Sequence, residues 1–340
     1  MLTSEQIQES IRLISEAKNI VVTAHKSPDG DAVGSILGLS GILKNLGKQV
    51  TPVLPDSVPE YLQWMQGFET IKIFEEKPES ISELIQKADL IFSLDYNTLS
   101  RVGNDMEKVL RSCNSKFILI DHHQQPESFA AVTYSDSSSC STAQLIYEFA
   151  EQCNWLSHID NATAESIYCG IMTDSGSFRF PSVTPKTHLI AARLIESGMD
   201  HAKVHRMVYD TNLPDRLKLV GYALNDKLEH FEDASTAIIS LSMDELKRFN
   251  YRQGDTEGLV NQALSIKGVN LAAFFREGAN EIKISFRSKG KFDVNKFARE
   301  NWNGGGHTNA AGGMSKLTLD EVLSIFRKQV QQFKNEINNS

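Results

Sequence analysis

Cysteine is scarce in this chain: four residues in 340, Cys113, Cys140, Cys153 and Cys169, with no CxxC pair and no disulfide-framework spacing. That scarcity excludes a disulfide-built scaffold and a Cys-rich structural zinc site, and it fits a reducing, cytoplasmic compartment. No apolar run approaches the ~18 residues that a membrane span needs. The stretch from Met1 to Asn19 is amphipathic and carries both charge signs, so it does not read as a secretory signal. A basic excess is missing too. The formal net charge is −8, whereas a protein that grips long nucleic acid needs many cations to displace phosphate counterions. A short phosphorylated ligand, held by a few local donors, stays compatible with this balance. What is present is ordinary for a globular chain: 41% hydrophobic, 23% charged and 8% aromatic residues, which argues against disordered, collagen-like and coiled-coil classes. At roughly 100–200 residues per domain, the length predicts two domains, each able to bury a core.

The first half alternates helical and strand patterns. Helical spacing of apolar residues runs over 4–18, 31–47, 80–87, 139–152 and 161–172, and short apolar runs at 19–24, 49–54, 88–94 and 117–120 read as buried strands. Short apolar strands separated by helices predict an α/β fold with a mostly parallel sheet flanked by helices. After Asp174 the pattern changes. Helices are expected at 184–197, 200–209 and 214–228, then a strand at 235–241, a helix at 243–249, and a strand pair, 270–276 and 281–287, around the turn Glu277-Gly278-Ala279-Asn280. A helix at 294–300, a glycine cluster and a helix from Leu319 complete a smaller α+β domain. The expected boundaries are 1–185 for the first domain, 186–230 for a helical linker and 231–340 for the second domain.

Ionisable residues stand just after the predicted strands. His25, Asp29 and Asp31 follow the first, Asp95 follows Leu94, and Asp121, His122 and His123 follow FILI; Asp174 ends a helix ahead of Ser175-Gly176-Ser177. In an open α/β sheet the carboxyl ends of the strands line the ligand crevice, so these distant residues can converge. Taken singly, several have plainer readings. Asp29-Gly30 reads equally as a surface turn, Asp31 as a helix cap, and Asp95 and Asp174 as turn or cap residues. Two histidines beside an aspartate at a core strand's end are harder to explain structurally, and they suggest one metal ligand and one donor to substrate. His25, Asp29, Asp31, Asp95, His122 and Asp174 supply four carboxylates and two imidazoles with no thiolate. Such a set suits Mn²⁺ or Mg²⁺, and sometimes Fe or Co. Six residues fit two ions if one carboxylate bridges, and two metals about 3.5–4 Å apart are a device for phosphoryl chemistry.

A second cluster is Gly304-Gly305-Gly306-His307-Thr308-Asn309-Ala310-Ala311-Gly312-Gly313. Consecutive glycines can bring backbone N–H groups up to a phosphate, and His307 adds a side-chain donor; a flexible loop is the plain alternative. Arg287-Ser288, at the end of a predicted strand, pairs with it as a phosphate clamp. No Lys-Ser/Thr follows the glycines, which excludes a Walker motif. Lys26 and Arg101 could reach substrate, with solvent exposure or a surface ion pair as the equal alternative. Cys153, Cys169, Trp64, Trp155 and Trp302 read as packing residues, as do Phe178 and Phe180.

HKSPDGDAVGS (25–35), LDYNTLSR (94–101), DHH (121–123) and MTDSGSFRF (172–180) resemble, in order, the four motifs of the DHH phosphoesterase superfamily. SFRS (285–288) and GGGHTNAAGG (304–313) look like its DHH-associated C-terminal domain. The overall length is similar to the nanoRNase/pAp-phosphatase branch. The resemblance implies that His25, Asp29 and Asp95 hold one metal and that Asp31, Asp95, His122 and Asp174 hold the other, with Asp95 shared. The usual cofactor is two Mn²⁺, with Mg²⁺ or Co²⁺ as substitutes. It also implies that His123 assists at the scissile phosphate, and that Arg287, Ser288, Gly304, Gly305, Gly306 and His307 bind substrate; Arg101, read from the residues alone, is a further substrate-binding candidate. The implied fold is two α/β-type domains with the active site between them, in a homodimer. Domain 1–185 would then be catalytic and 231–340 substrate-binding.

The implied activity is hydrolysis of very short RNA oligonucleotides to mononucleotides, and of pAp to AMP. Rival readings are hydrolysis of cyclic di-AMP or of linear pApA and pGpG, and a non-catalytic nucleotide sensor. A single-strand DNA exonuclease lacks its electropositive track here, and a family II-type pyrophosphatase should have a more lysine-rich phosphate site.

Overall fold

Runs such as LIFSL and FILI have no polar face, and a strand of that kind needs cover on both sides of its sheet. The computed structural model describes residues 1–340 and supplies that cover in the first of two units, Met1–Thr211. Its strands are β1 (Asn19–Thr23), β2 (Gln49–Leu54), β3 (Lys72–Ile73), β4 (Leu90–Leu94), β5 (Lys116–Asp121) and β6 (Val132–Ser135), and its helices are α1 (Ser4–Glu16), α2 (Gly30–Asn45), α3 (Pro78–Gln86), α4 (Asn104–Ser112), α5 (Thr142–Gln152), α6 (Asn161–Asp174), α7 (Pro185–Glu196) and α8 (His201–Tyr209). The sheet order is β3-β2-β1-β4-β5-β6, and every pairing is parallel.

Side chains alternate between the two faces, as the pleat requires. Val22, Phe92 and Ile118 join Ile36, Leu39, Ile146, Phe149 and Ile167 in the larger core. Their neighbours Val21, Ile91 and Phe117 face the other way, against Ile85, Met106 and Leu110. Each such side chain, fully buried, contributes roughly 1.5–3 kcal/mol. The strand order reverses at β1 and β4, and the crevice beyond their carboxyl ends is where a doubly wound sheet binds its ligand. Helices α2, α5 and α6 close over that end. A Cβ at Gly170 would lie 2.9 Å from Asp31 Oδ1 and closer still to the Ala143 methyl, so glycine is what lets the three helices meet there.

The second unit, Asn212–Ser340, has β7 (Leu228–Phe231), β8 (Thr236–Leu241), β9 (Leu271–Glu277), β10 (Ile282–Ser288), β11 (Gly305–His307) and β12 (Ala310–Ser315), in the order β11-β12-β10-β9-β8-β7. Only β8 and β9 run parallel. Helices α9 (Pro214–Asp226), α10 (Met243–Arg248) and α11 (Leu259–Leu264) contribute to one apolar cluster with Ile239 and Phe274, while α12 (Val294–Asn301), α13 (Leu319–Gln332) and α14 (Lys334–Asn338) contribute to another with Phe275 and Phe286.

The stretch 186–230, read from the sequence as a linker, is shared between the units. α7 and α8 insert Ile190, Leu194, Val204 and Val208 into the first core, and α9 inserts Leu219 and Ala223 into the second. The glycine cluster at 304–313 is a hairpin of paired strands rather than a loose loop. Glycine's low strand propensity hides this in the sequence; backbone pairing to β10 overrides it. No helix is long and apolar enough to cross a membrane.

Candidate metal centre

The loop after β1 turns sharply between His25 and Asp31. Ser27, at φ +57°, donates its N–H to Asp56 Oδ1 at 2.7 Å, and Lys26 N–H is donated to the Arg101 carbonyl at 2.9 Å. The helix cap expected of Asp31 belongs instead to Asp29, whose Oδ1 accepts from the N–H groups of Asp31 and Ala32, each at 3.0 Å. Asp31, two residues on, is consequently carried inward by the first turn of α2 and is buried.

Asp95 begins where β4 ends. Its backbone is left-handed, at φ +61°, a conformation that non-glycine residues adopt at a cost and that clusters at functional sites. Its buried carboxylate lies between two imidazoles, with Oδ2 at 3.4 Å from His25 Nε2 and Oδ1 at 3.5 Å from His122 Nε2. His25 Nε2 also lies 3.9 Å from Asp29 Oδ1. His122 Nε2 lies 3.4 Å from Asp174 Oδ2 and 3.8 Å from Asp31 Oδ2. Among the groups of potential ligands that the structure gathers are two, His25–Asp29–Asp95 and Asp31–His122–Asp174, that Asp95 joins: it belongs to the first and lies 3.5 Å from His122 of the second.

The donor chemistry fits cations. His25 Nδ1 is 2.9 Å from the Lys26 carbonyl and His122 Nδ1 is 3.2 Å from the Ser139 carbonyl. A carbonyl only accepts, so each Nδ1 carries a proton, and in the neutral imidazole each Nε2 then presents a lone pair. Those lone pairs face carboxylate oxygens in a buried site, which is repulsive unless positive charge lies among them. No lysine or arginine supplies it to Asp31 or Asp95, whose only ion-pair partners are histidines. The cost shows in the acidities. Burial, then the neighbouring Asp29 carboxylate, pushes Asp31 up to about 7. Burial, then the charges of Asp31, Asp29 and Asp174, raises Asp95 well above the usual carboxylate range. Burial lowers His122.

Around this centre the structure also places His123 and Arg101. His123 Nδ1 pairs with the buried Asp121 Oδ1 at 2.7 Å and lies 3.8 Å from Asp95 Oδ1. Burial, followed by the positive charges of His122 and Arg101, holds His123 well below its usual range. Arg101 is exposed and has no acidic partner. Two contributors are absent from the sequence reading: Asp121 as the anchor of His123, and the start of α5. There, Thr142 donates its hydroxyl to Asp95 Oδ1 at 2.9 Å, and the N–H groups of Thr142 and Ala143 go to the two oxygens of Asp31 at 2.7 and 2.9 Å. The signal lay in the hydroxyl-rich run SSSCST at 137–142.

The remaining expected residues belong to the second unit. Arg287 on β10 pairs with Ala310 on β12, and Ala310 pairs with His307 on β11. Directly opposed residues share a face, so the Arg287 and His307 backbones stand about 10 Å apart, two strand spacings, with Ala310 between them. Gly306 already donates its N–H to Asn295 Oδ1 at 2.9 Å. Ser288 is buried, donates to the Phe292 carbonyl at 2.7 Å and accepts from Asn309. Side chains rather than glycine amides therefore dominate this face.

Comparison with known proteins agrees with both units. Residues 19–171 match the DHH family, N-terminal domain, and residues 235–336 match the DHHA1 domain. The bifunctional oligoribonuclease and PAP phosphatase NrnA of Bacillus subtilis is 28% identical over 320 residues, spanning 93% of this chain and 95% of that one. The protein of the same description from Thermus thermophilus is 30% identical over 334 residues, spanning 95% and 94%. The crystal structure of an exopolyphosphatase-related protein from Bacteroides fragilis superposes with a TM-score of 0.92 at 37% identity, covering 99% of each chain. With both domains matched in order and relatives aligned almost end to end, the chain belongs to the DHH phosphoesterase family.

Proposed function

We propose that this chain is a metal-dependent phosphodiesterase and 3′-phosphatase that hydrolyses short oligoribonucleotides to mononucleotides and pAp to AMP. One observation carries the reading: the two ligand groups at the switch point of the sheet share the single carboxylate of Asp95. The relatives that align along its length carry oligoribonuclease and PAP phosphatase names.

In this reading His25, Asp29 and Asp95 hold one Mn²⁺, and Asp31, Asp95, His122 and Asp174 hold the second; Mg²⁺ and Co²⁺ suit the same donors. Such a pair of cations, when bound, brings a water's pKa near neutrality and offsets charge on the phosphoryl oxygens. The chain's own residues orient the reacting phosphate. Arg101, exposed beside His123, contributes a fixed positive charge. His123, its ring held by Asp121, faces the leaving 3′ oxygen. It is neutral in the chain alone, and a phosphate dianion beside it favours the protonated form that can donate. Arg287 and His307 grip the terminal phosphate or nucleotide, while Ser288 and Gly304, Gly305 and Gly306 shape that face. Few phosphates then need contact, which suits small substrates and the acidic net charge. Four free thiols support a cytoplasmic placement, and the family resemblance supports a homodimer.

The test is turnover with Mn²⁺ on a panel of pApA, pGpG, longer RNA oligomers, pAp and cyclic di-AMP. Highest turnover on dinucleotides and pAp is expected. Preference for cyclic di-AMP, or binding without any turnover, contradicts the reading. His307→Ala should raise KM about 10–100-fold, the worth of a hydrogen bond to a charged group, while kcat changes only a few-fold. An equal loss in kcat would place His307 in the chemical step.

A further inference from the structure

We propose that Thr142 is a positioning residue: its hydroxyl, rather than its bulk, sets the carboxylate of Asp95 for cation binding. The inference rests on the metal reading above and adds to it a residue that is itself no ligand.

Thr142 opens α5 and is fully buried. Its hydroxyl is not needed to cap the helix, because Ser141 does that, accepting from the Gln144 N–H at 3.0 Å. The hydroxyl proton goes to Asp95 Oδ1. That oxygen is the one nearest His122 and His123, at 3.5 and 3.8 Å, while the other faces His25 at 3.4 Å. Turning the carboxylate about its stem would break both relations. The left-handed backbone of Asp95 sends the side chain out from an uncommon starting direction, so an external donor is a natural means of fixing it. A neutral hydroxyl suits the task. It withdraws negative charge from a crowded acidic site without adding a cation that would compete with a metal.

The same residue is tied to the second ligand group. Its N–H reaches Asp31 Oδ2, the Ala143 N–H reaches Oδ1, and the Ser139 carbonyl three residues upstream takes the His122 Nδ1 proton. One short segment thus sets Asp31, Asp95 and His122 together. The segment is braced in turn: Gln144 Oε1 accepts from Thr187 on α7 at 2.8 Å, and Gln144 Nε2 donates to Glu148 at 2.9 Å.

The experiment titrates Mn²⁺ into metal-stripped wild type, Thr142→Ser and Thr142→Val, reading free Mn²⁺ by electron paramagnetic resonance, with circular dichroism to confirm folding. Valine keeps the volume and removes the donor; serine keeps the donor and removes a methyl. Thr142→Val should bind roughly 10–100-fold more weakly, while Thr142→Ser stays within about threefold of wild type. Binding by Thr142→Val within about threefold of wild type overturns the proposal, as does a serine variant as damaged as the valine one, since packing would then be the cause. Should Thr142→Val not fold, Thr142→Ala is read by the same criteria. Wild type that binds no Mn²⁺ overturns the metal reading, and the proposal with it. Wild-type binding that the valine variant fully shares overturns this proposal alone.

Discussion

Asp95→Asn is expected to lower turnover of a dinucleotide by at least about a thousandfold, some 4 kcal/mol of transition-state stabilisation. Asparagine is the substitution to choose because Asp95 has φ +61°, a region asparagine tolerates better than alanine. The shape is kept and one negative charge is removed from a point that touches both ligand groups. Losing a carboxylate from one group would cripple one ion's site; losing this one weakens both. The folded chain should not suffer. Without metal, burial and four neighbouring carboxylates already penalise the Asp95 charge, so the metal-free variant should melt no lower than metal-free wild type at pH 8. Activity is measured with saturating Mn²⁺ and stability by calorimetry. Near-normal turnover of Asp95→Asn would overturn the ligand assignment.

Removal of metal should cost stability, and the cost should grow with pH. In the metal-free chain Asp31 titrates near 7, above the unfolded value of about 3.9, and Asp95 is raised as well. A raised acid leaves stability intact below the unfolded pKa and loses it as pH rises through the folded one. His122 and His123 are lowered, so their contribution is lost only as pH falls below about 6.5. Between pH 6.5 and 8 the histidine contribution is level and the carboxylate penalty still grows. A divalent ion binds the ionised carboxylates and releases their protons. Mn²⁺ at one fixed concentration, about a hundred times its Kd at pH 6.5, should add about 2.7 kcal/mol there, or roughly 5–10 °C in Tm, with a larger shift at pH 8. Melting curves with and without Mn²⁺ at both pH values check this. No shift, or a larger one at pH 6.5, would contradict it.

The strands that carry the site were legible because they are buried on both faces and so read as apolar runs; β1, β2, β4 and β5 all stand where those runs are. β3, with two residues, and β6, Val-Thr-Tyr-Ser at the sheet edge, carry too little apolar signal to be read. α4 was missed because its buried side is only Met106 and Leu110 among nine residues. The acidic and histidine groups were legible through topology: residues just past parallel strands share one end of the sheet. The left-handed backbone of Asp95 and the donation from Thr142 were not, since one depends on a local twist and the other on a threonine 47 positions away in sequence.

The most direct test of the account is the number and coupling of Mn²⁺ ions on the metal-stripped chain, by titration and electron paramagnetic resonance. Two ions per chain are expected, with an exchange-coupled signal, as for a pair about 3.5–4 Å apart, and with loss of that coupling in Asp95→Asn. A single uncoupled ion, or a coupled pair that survives in Asp95→Asn, would contradict it.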